Sequence, residues 1–372
     1  MKKMYFVLFV ILVCSVLAVF AEETGCDAEK KSSESSDTSE YTYSIASSQK
    51  EPEYLYGTKF NDIFMADFTG FGLTFAATGL NFGVGGLLGL DGTYTLEDQI
   101  LASSMTNLAS IPLHFSGSPD VLPMTAVTLA LTGAEYLAGT EYGLYSREHQ
   151  WFYWAGNNLA MYNAYDAYAS TRLRSPAWDN SSFKRFSSWD LLKAPFDFNN
   201  LKEPVVWAAM GSSVLFTALN VWLIDPEVLR AAVWETGEWY LDERQMTPQG
   251  FWLEYIPYVA SSNTIGAIGE EGVYRGVLHE ELSCRLGEKW ATVVDTGAFA
   301  AMHIITDICR GCSWQYTTLH ALDVAGANLL FDWAYDKGGL PLSIAAHAWA
   351  NFIGNFMNAF LSYGIPQSKI TN

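Results

Sequence analysis

The chain has 372 residues, of which half are hydrophobic and only 16% are charged, against roughly 25% in soluble domains. The formal net charge is −19, which excludes nucleic acid as an expected partner because phosphate binding requires a basic surface. The composition is typical of a membrane protein whose apolar stretches alternate with polar ones.

The N-terminal segment has the features of a secretory signal. Two lysines precede an apolar run that ends at Ala21 before two glutamates. This pattern predicts a signal peptide over residues 1–21, with an uncleaved signal anchor as the alternative. Residues 22–57 are rich in Ser, Glu, Asp, Lys and Thr, and they predict a disordered acidic tether because they have few apolar residues to bury.

Long apolar stretches follow, and roughly 20 apolar residues are needed to cross a bilayer as a helix. The predicted spans are Ala66–Leu90, Val121–Thr140, Trp151–Ser170, Pro204–Ile224, Tyr258–Leu278, Ala291–Ile308, Thr318–Tyr335 and Pro341–Tyr363. We therefore predict an all-α polytopic membrane bundle of about seven or eight transmembrane helices. The Gly-rich stretch Gly70–Gly92 leaves paired strands of an outer-membrane barrel as an alternative, but the continuous apolar runs further along favour helices.

Two adjacent glutamates begin the first polar motif of the C-terminal half, Glu270-Glu271-x-x-x-Arg275. Glu271 and Arg275 are four residues apart, so that one helix face can pair them. Glu270 is rotated by about 100° and stays free. A carboxylate in a low-dielectric site is suited to act as a general base. An ordinary ion pair at a solvated helix end is the alternative.

Two further pairs of residues stand one helical turn apart. Phe299 and His303 lie in an apolar run, and His347 precedes Asn351 by four residues. The imidazole and the amide can both donate hydrogen bonds to a developing oxyanion. Hydrogen bonding between neighbouring helices is the alternative role of these polar groups.

Together these groups are sufficient to hydrolyse an amide bond. In one mechanism a carboxylate activates water and no cofactor is required. In the other, Glu270, His303 and His347 ligate a divalent metal such as zinc and leave a position open for water. The residue pattern does not separate the two mechanisms.

The ordered motifs Glu-Glu-x-x-x-Arg, Phe-x-x-x-His and His-x-x-x-Asn resemble the CPBP intramembrane protease family. This family includes the type 2 CAAX prenyl endopeptidases and bacteriocin-processing or immunity proteins. The resemblance covers roughly residues 204–363. It implies a CPBP-like protease core over 201–366. The apolar runs predict N-terminal hydrophobic helices over 58–200, and this half of the chain departs from the family's usual plan.

The resemblance also implies roles for individual residues. Glu270 matches the family's water-activating glutamate and His303 its partner, whereas His347 and Asn351 match the oxyanion side. Glu271 and Arg275 would support the catalytic residues, and Phe299 would line the site. The family was long described as metal-dependent, and a glutamate mechanism is the newer view.

We therefore predict an intramembrane endopeptidase that cleaves a peptide or membrane-protein substrate within the lipid bilayer. The signal-like N-terminus favours the bacterial inner membrane. A non-catalytic membrane scaffold or an immunity-type protein of the same fold is the alternative function.

Three other polar positions have simpler interpretations. Asp295 is expected to be an N-terminal helix residue favoured by the helix dipole. His279 begins a sequence like the zinc-binding HExxH motif, but Ser283 stands where the second histidine is required. A polar helix end is therefore expected at His279. His320 is expected either to touch the site or to pair with a neighbouring helix.

Overall fold

The computed structural model describes residues 53–72, 95–109, 116–144, 146–181, 183–223, 239–241, 244–310 and 312–362. Within these residues the fold is all-α, as predicted, apart from one short antiparallel hairpin. The strands β1 (Trp239–Leu241) and β2 (Arg244–Met246) form this hairpin. The predicted signal segment lies outside the described residues.

The N-terminal half is made of four helices. They are α1 (Lys59–Asp67), α2 (Leu96–Ala109), α3 (Val121–Tyr142) and α4 (Arg147–Arg174). Residues 53–57, at the end of the predicted tether, lead into α1, whose N-cap Thr58 accepts a hydrogen bond from the backbone of Asn61. A π-helical turn, Phe68–Gly72, follows α1, and the rest of the Gly-rich stretch lies outside the described residues.

Short helical segments connect the two halves of the chain. They are α5 (Ser188–Lys193), a 3-10 turn (Ala194–Phe196) and α6 (Phe198–Leu201), and they lead into the long apolar helix α7 (Pro204–Leu223).

The described part of the C-terminal half beyond the hairpin contains four α-helices and one π-helical segment. They are α8 (Pro248–Val273), a π-helical segment (Tyr274–His279), α9 (Glu280–Leu286), α10 (Glu288–Arg310) and α11 (Trp314–Ser362). Thr247 caps α8 by accepting a hydrogen bond from the backbone of Gly250, and Pro248 at the first helical position suits this start.

Helix α11 is kinked at Gly339. This residue has φ 68° and ψ −166° inside an otherwise helical segment, and Pro341 follows it. The positive φ favours glycine because a side chain is strained there. The kink redirects the second half of α11, which carries Ser343 and His347.

Helix α4 packs against both α3 and α8 and so joins the two halves of the fold. The contact of α4 with α8 and with the π-helical segment that follows it is very close. A Cβ atom added at Gly269 would lie 2.6 Å from the carbonyl oxygen of Asn158, and one added at Gly276 would lie 2.4 Å from the ring of Tyr165. Glycine at these positions lets α4 support the segment that carries the glutamates.

Two helices of the described chain, α3 and α7, are long and apolar enough to cross a membrane by length and composition. Large apolar side chains stay exposed on both helices, as expected for surfaces that contact lipid. They include Leu122, Leu129 and Leu137 on α3, and Trp207, Leu215 and Trp222 on α7. The larger number of spans remains a prediction.

Candidate active site

Glu271 is the centre of a buried polar cluster. One carboxylate oxygen accepts hydrogen bonds from Arg275 Nη1 at 3.1 Å and from His347 Nδ1 at 2.7 Å. The other oxygen accepts one from the Ser343 hydroxyl. The side chain has no solvent exposure. The pairing of Glu271 with Arg275, expected from their spacing, is present.

Arg275 is fully buried in the π-helical segment and uses its guanidinium to connect three helices. Besides Glu271, its Nε donates to Asp332 at 3.1 Å, and its Nη2 donates to the backbone carbonyl of Asn328 at 3.1 Å. The rings of Phe299 and Phe331 lie 5.4 and 5.5 Å from the guanidinium carbon. Arg275 therefore orders the surrounding groups and has no access to a substrate.

His347 links the two adjacent glutamates. Its Nδ1 bonds to Glu271, and since a carboxylate only accepts hydrogen bonds, Nδ1 carries a proton. Its Nε2 faces Glu270, with 3.6 Å to the nearest carboxylate oxygen. The ring of Phe331 stacks on the imidazole at 4.5 Å and 12°. The orientation of His347 is therefore fixed on two sides.

Glu270 differs from its neighbour in its surroundings. Its side chain is 23% exposed, whereas that of Glu271 is completely buried. The contact with His347 at 3.6 Å is longer than a hydrogen bond, and among the described residues no hydrogen bond to its carboxylate is formed. This carboxylate is therefore open to a water molecule or a substrate.

His303 lies beside this pair on α10. Its Nδ1 lies 2.9 Å from the carbonyl oxygen of Phe299, so Nδ1 is the donor and Nε2 holds a lone pair when the ring is neutral. His303 is close enough to Glu270 and His347 to interact electrostatically with both. The ring of Phe299 contacts both imidazoles, with centroids 4.7 and 6.0 Å away. The structure thus brings the second motif to the first.

A further histidine extends the cluster outward. His320 packs edge-on against His303 with ring centroids 5.6 Å apart, and its Nδ1 bonds to Asp307 at 2.7 Å. Of the two roles expected for His320, the structure therefore shows both, because it touches the site and pairs with the neighbouring helix.

Asn351 is the one motif residue that the structure leaves apart from the cluster. Its side chain is exposed, one turn beyond His347. No hydrogen bond joins it to the described residues. Its expected role as an oxyanion donor is therefore a proposal that depends on a bound substrate.

Two of the simpler interpretations were wrong. Asp295 lies in the second turn of α10 and is completely buried, 3.7 Å from Arg275 Nε, so that its partner is a guanidinium from another segment. His279 is buried at the end of the π-helical segment, where its Nδ1 lies 3.7 Å from Asp332. Contacts between distant segments, which spacing does not reveal, place both residues in the interior.

The grouping of possible metal ligands differs from the predicted one. Among the described residues, two sets of three have ligand atoms that all lie within 4.8 Å of one another, and both contain His279. Neither set contains Glu270, His303 or His347. Of the latter three, Glu270 and His347 lie 3.6 Å apart.

Sequence reasoning also missed Ser343, Asn328, Asp332 and Phe331. Asn328 and Asp332 are four residues apart and one helical turn from each other, a spacing similar to that of the recognised pairs. This polar pair inside an apolar run was the signal available. Ser343 and Phe331 carry no comparable signal because their roles depend on the kink of α11.

Fold and site together define an all-α protein that has two helices able to span a membrane by length and composition, and a buried glutamate, arginine and histidine cluster beside an accessible second glutamate. Residues 252–353 match the family described as type II CAAX prenyl endopeptidase Rce1-like. This segment is similar to the Rce1-like family, it holds all three motifs, and the resemblance predicted from them is confirmed. No curated protein and no solved structure matches the chain. The family implies a membrane-embedded protease with a peptide substrate.

Proposed function

We propose that this protein is an intramembrane endopeptidase in which Glu270 activates water for attack on a peptide bond. The observation that carries the proposal is the contrast between the two glutamates. Glu271 is buried and fully hydrogen-bonded, whereas Glu270 is partly exposed and has no hydrogen bond to the described residues. A carboxylate that only joined helices would be hydrogen-bonded across them, as that of Glu271 is, whereas that of Glu270 is left open to water or a substrate.

His347 and His303 assist the open carboxylate in this proposal. Both imidazoles carry a proton on Nδ1, which leaves Nε2 of each ring available for the reaction. His303 holds the attacking water together with Glu270. Glu270 takes a proton from the attacking water and gives it to the leaving amine when the C–N bond breaks. Nε2 of His347, protonated from solvent, donates to the tetrahedral oxyanion, and Glu271 stabilises the resulting imidazolium. Asn351 completes the oxyanion site when substrate covers it.

Arg275 and Glu271 act as positioning residues. Arg275 holds Glu271, and Glu271 holds His347 in the required tautomer. The loss of one pre-organised donor of this kind lowers the catalytic rate by a factor on the order of 10²–10³.

A cleft lined by α8 and α11, the helices that carry Glu270 and His347, gives the substrate a place to bind. It has a volume of about 220 Å³ and an apolar lining from α8, α11 and the 3-10 turn that precedes α6. Thr264 on α8 and Ala348 beside His347 belong to this lining. We infer that it accepts an apolar part of a peptide or membrane-protein segment in the inner membrane.

The test uses the purified full-length chain in detergent micelles with two quenched fluorescent peptides. One peptide ends in a prenylated CAAX motif and the other is an unmodified apolar leader peptide. We expect cleavage of at least one by the wild type and none by Glu270→Gln or His303→Ala. Equal cleavage by the wild type and Glu270→Gln would support the scaffold instead. The scaffold would also be supported if no protein cleaved either peptide and His303→Ala differed from the wild type only in its lower folded yield.

The same assay with and without a chelator separates the two mechanisms. In the proposed mechanism, Glu270 activates water directly, so chelation should lower activity only as far as it lowers the melting temperature. Loss of activity on chelation with an unchanged melting temperature, and recovery with zinc, would favour the metal-dependent form, with Glu270, His303 and His347 as ligands.

A further inference from the structure

A second buried polar cluster lies next to Arg275 and takes no part in the proposed hydrolysis. It consists of His279 at the end of the π-helical segment, Asp295 on α10 and Asp332 on α11. All three side chains are buried. Each comes from a different segment, so their meeting is a product of the tertiary fold.

The distances within the cluster suit a common ligand. One ligand atom from each residue lies within 4.8 Å of the others, and His279 Nδ1 is 3.7 Å from Asp332 Oδ1. Two ligands bound to one metal at roughly 2.0–2.2 Å stand roughly 3–4 Å apart. The three residues therefore surround a space of the right size for one ion.

Two atoms of the cluster lack a partner. Within the described part of the chain, His279 Nδ1 and Asp295 Oδ1 are buried and form no hydrogen bond. Buried polar atoms are nearly always hydrogen-bonded. Both orphaned atoms belong to residues of the cluster, which points to a bound species that satisfies them together.

The tautomer of His279 strengthens this reading. Its Nε2 lies 3.3 Å from a carboxylate oxygen of Glu288, which can only accept, so Nε2 carries the proton. The neutral ring then directs the Nδ1 lone pair at Asp332. Two lone pairs in this arrangement repel each other, whereas a cation between them attracts both. A carboxylate on the outer nitrogen of a metal-bound histidine is a common arrangement.

The charges around Arg275 also call for a cation. Glu271, Asp295 and Asp332 are three buried carboxylates around one buried guanidinium. Uncompensated buried charge is strongly unfavourable. A divalent ion would balance the two excess negative charges.

We propose that His279 Nδ1, Asp295 and Asp332 bind a structural divalent cation of the zinc class. One imidazole and two carboxylates are ligands that zinc accepts. The ion would hold α10 and α11 against the π-helical segment and so support Arg275 from behind. It is separate from the hydrolytic cluster around Glu270.

The first test measures metal content in the absence of substrate, so its outcome is independent of protease activity. The full-length protein in detergent is stripped with EDTA, titrated with Zn²⁺, passed through gel filtration and analysed for bound zinc. We expect one equivalent in the wild type and a loss of at least tenfold in affinity in His279→Asn and Asp295→Asn. His303→Ala and Asp336→Asn are the controls that should keep the ion. Asp336 belongs to the second, exposed set that shares His279.

No zinc in the wild type would overturn the proposal and would show that protons balance the carboxylates. Loss of zinc in His303→Ala would place the ion in the hydrolytic cluster, and loss in Asp336→Asn would place it at the surface. X-ray absorption at the zinc edge of the wild type gives an answer even if the variants fold poorly. One imidazole ligand with oxygen neighbours is expected, whereas two imidazoles would refute the assignment.

Discussion

The neighbouring glutamates permit a matched experiment in which the same substitution has two different outcomes. Glu270→Gln and Glu271→Gln each remove one negative charge and keep the side-chain shape. We expect both variants to lose turnover. Only Glu271→Gln should also lose stability, because only Glu271 is buried and bonded on both oxygens.

The magnitudes follow from the contacts. Glu271 accepts hydrogen bonds from Arg275, His347 and Ser343. A glutamine leaves one donor unmatched, whereas Arg275 keeps Asp295 and Asp332 as counter-charges, so the cost is that of an unsatisfied buried donor, about 1–3 kcal/mol. At about 2 °C per kcal/mol for a chain of this size, the melting temperature should fall by roughly 2–6 °C.

Glu270 should behave differently. Its nearest polar atom is 3.6 Å away and its side chain is partly exposed, so the change in stability should stay below about 1 kcal/mol. Loss of a general base lowers turnover by about 10²–10⁴.

Two measurements on the same preparations check these values. Intrinsic tryptophan fluorescence in detergent follows thermal unfolding, and the quenched peptides give the rate. The reasoning is refuted if the melting temperature of Glu271→Gln is less than about 2 °C below that of the wild type, because about 2 °C corresponds to a loss of about 1 kcal/mol. It is equally refuted if Glu270→Gln destabilises the protein as much as Glu271→Gln does.

Two further predictions concern the packing and the pH response. Gly276→Ala places a methyl group 2.4 Å from the ring of Tyr165 and should destabilise the fold by about 1–3 kcal/mol. The control Gly266→Ala, with nothing within 4 Å, should be neutral or stabilising by up to about 1 kcal/mol. Equal melting temperatures in the two variants would contradict the close contact between α4 and the π-helical segment. A hydrogen bond from Arg244 lowers the pKa of Glu254, so its contribution to stability is complete above the unfolded value of about 4.3 and is lost as pH falls through the lower folded pKa. As the pH is lowered from about 6 to about 3, across the unfolded pKa of about 4.3, the melting temperature should fall less steeply in Arg244→Gln than in the wild type.

Local spacing predicted those parts of the site that lie on one helix. Glu271 with Arg275 and Phe299 with His303 are both in contact, as four-residue spacing requires. The segment after Val273 is π-helical, and Glu271 and Arg275 are still in contact across its start. The helical class of the fold was likewise evident from continuous apolar runs.

Contacts between segments could not be predicted in the same way. The bond from His347 to Glu271 depends on how far α11 turns at Gly339, which a single glycine in the sequence does not specify. The burial of Asp295 and Asp332 beside Arg275 depends on the packing of α10 against α11. A charged residue that looks like a helix end in sequence is therefore interior in the fold.

The rigidity of the cluster indicates where substrate selection takes place. Glu271, Arg275 and His347 lie on helices and are held by several bonds each, so in the proposed mechanism Glu271 and Arg275 hold His347 in the same geometry for every substrate. What differs among substrates is the part that must fit the apolar cleft between α8 and α11. Trp349 closes one side of that cleft and is fixed by a hydrogen bond to the carbonyl of Pro195 at 2.7 Å. Selectivity should therefore change with substitutions in the cleft lining, and the hydrolytic chemistry should change with substitutions in the polar cluster.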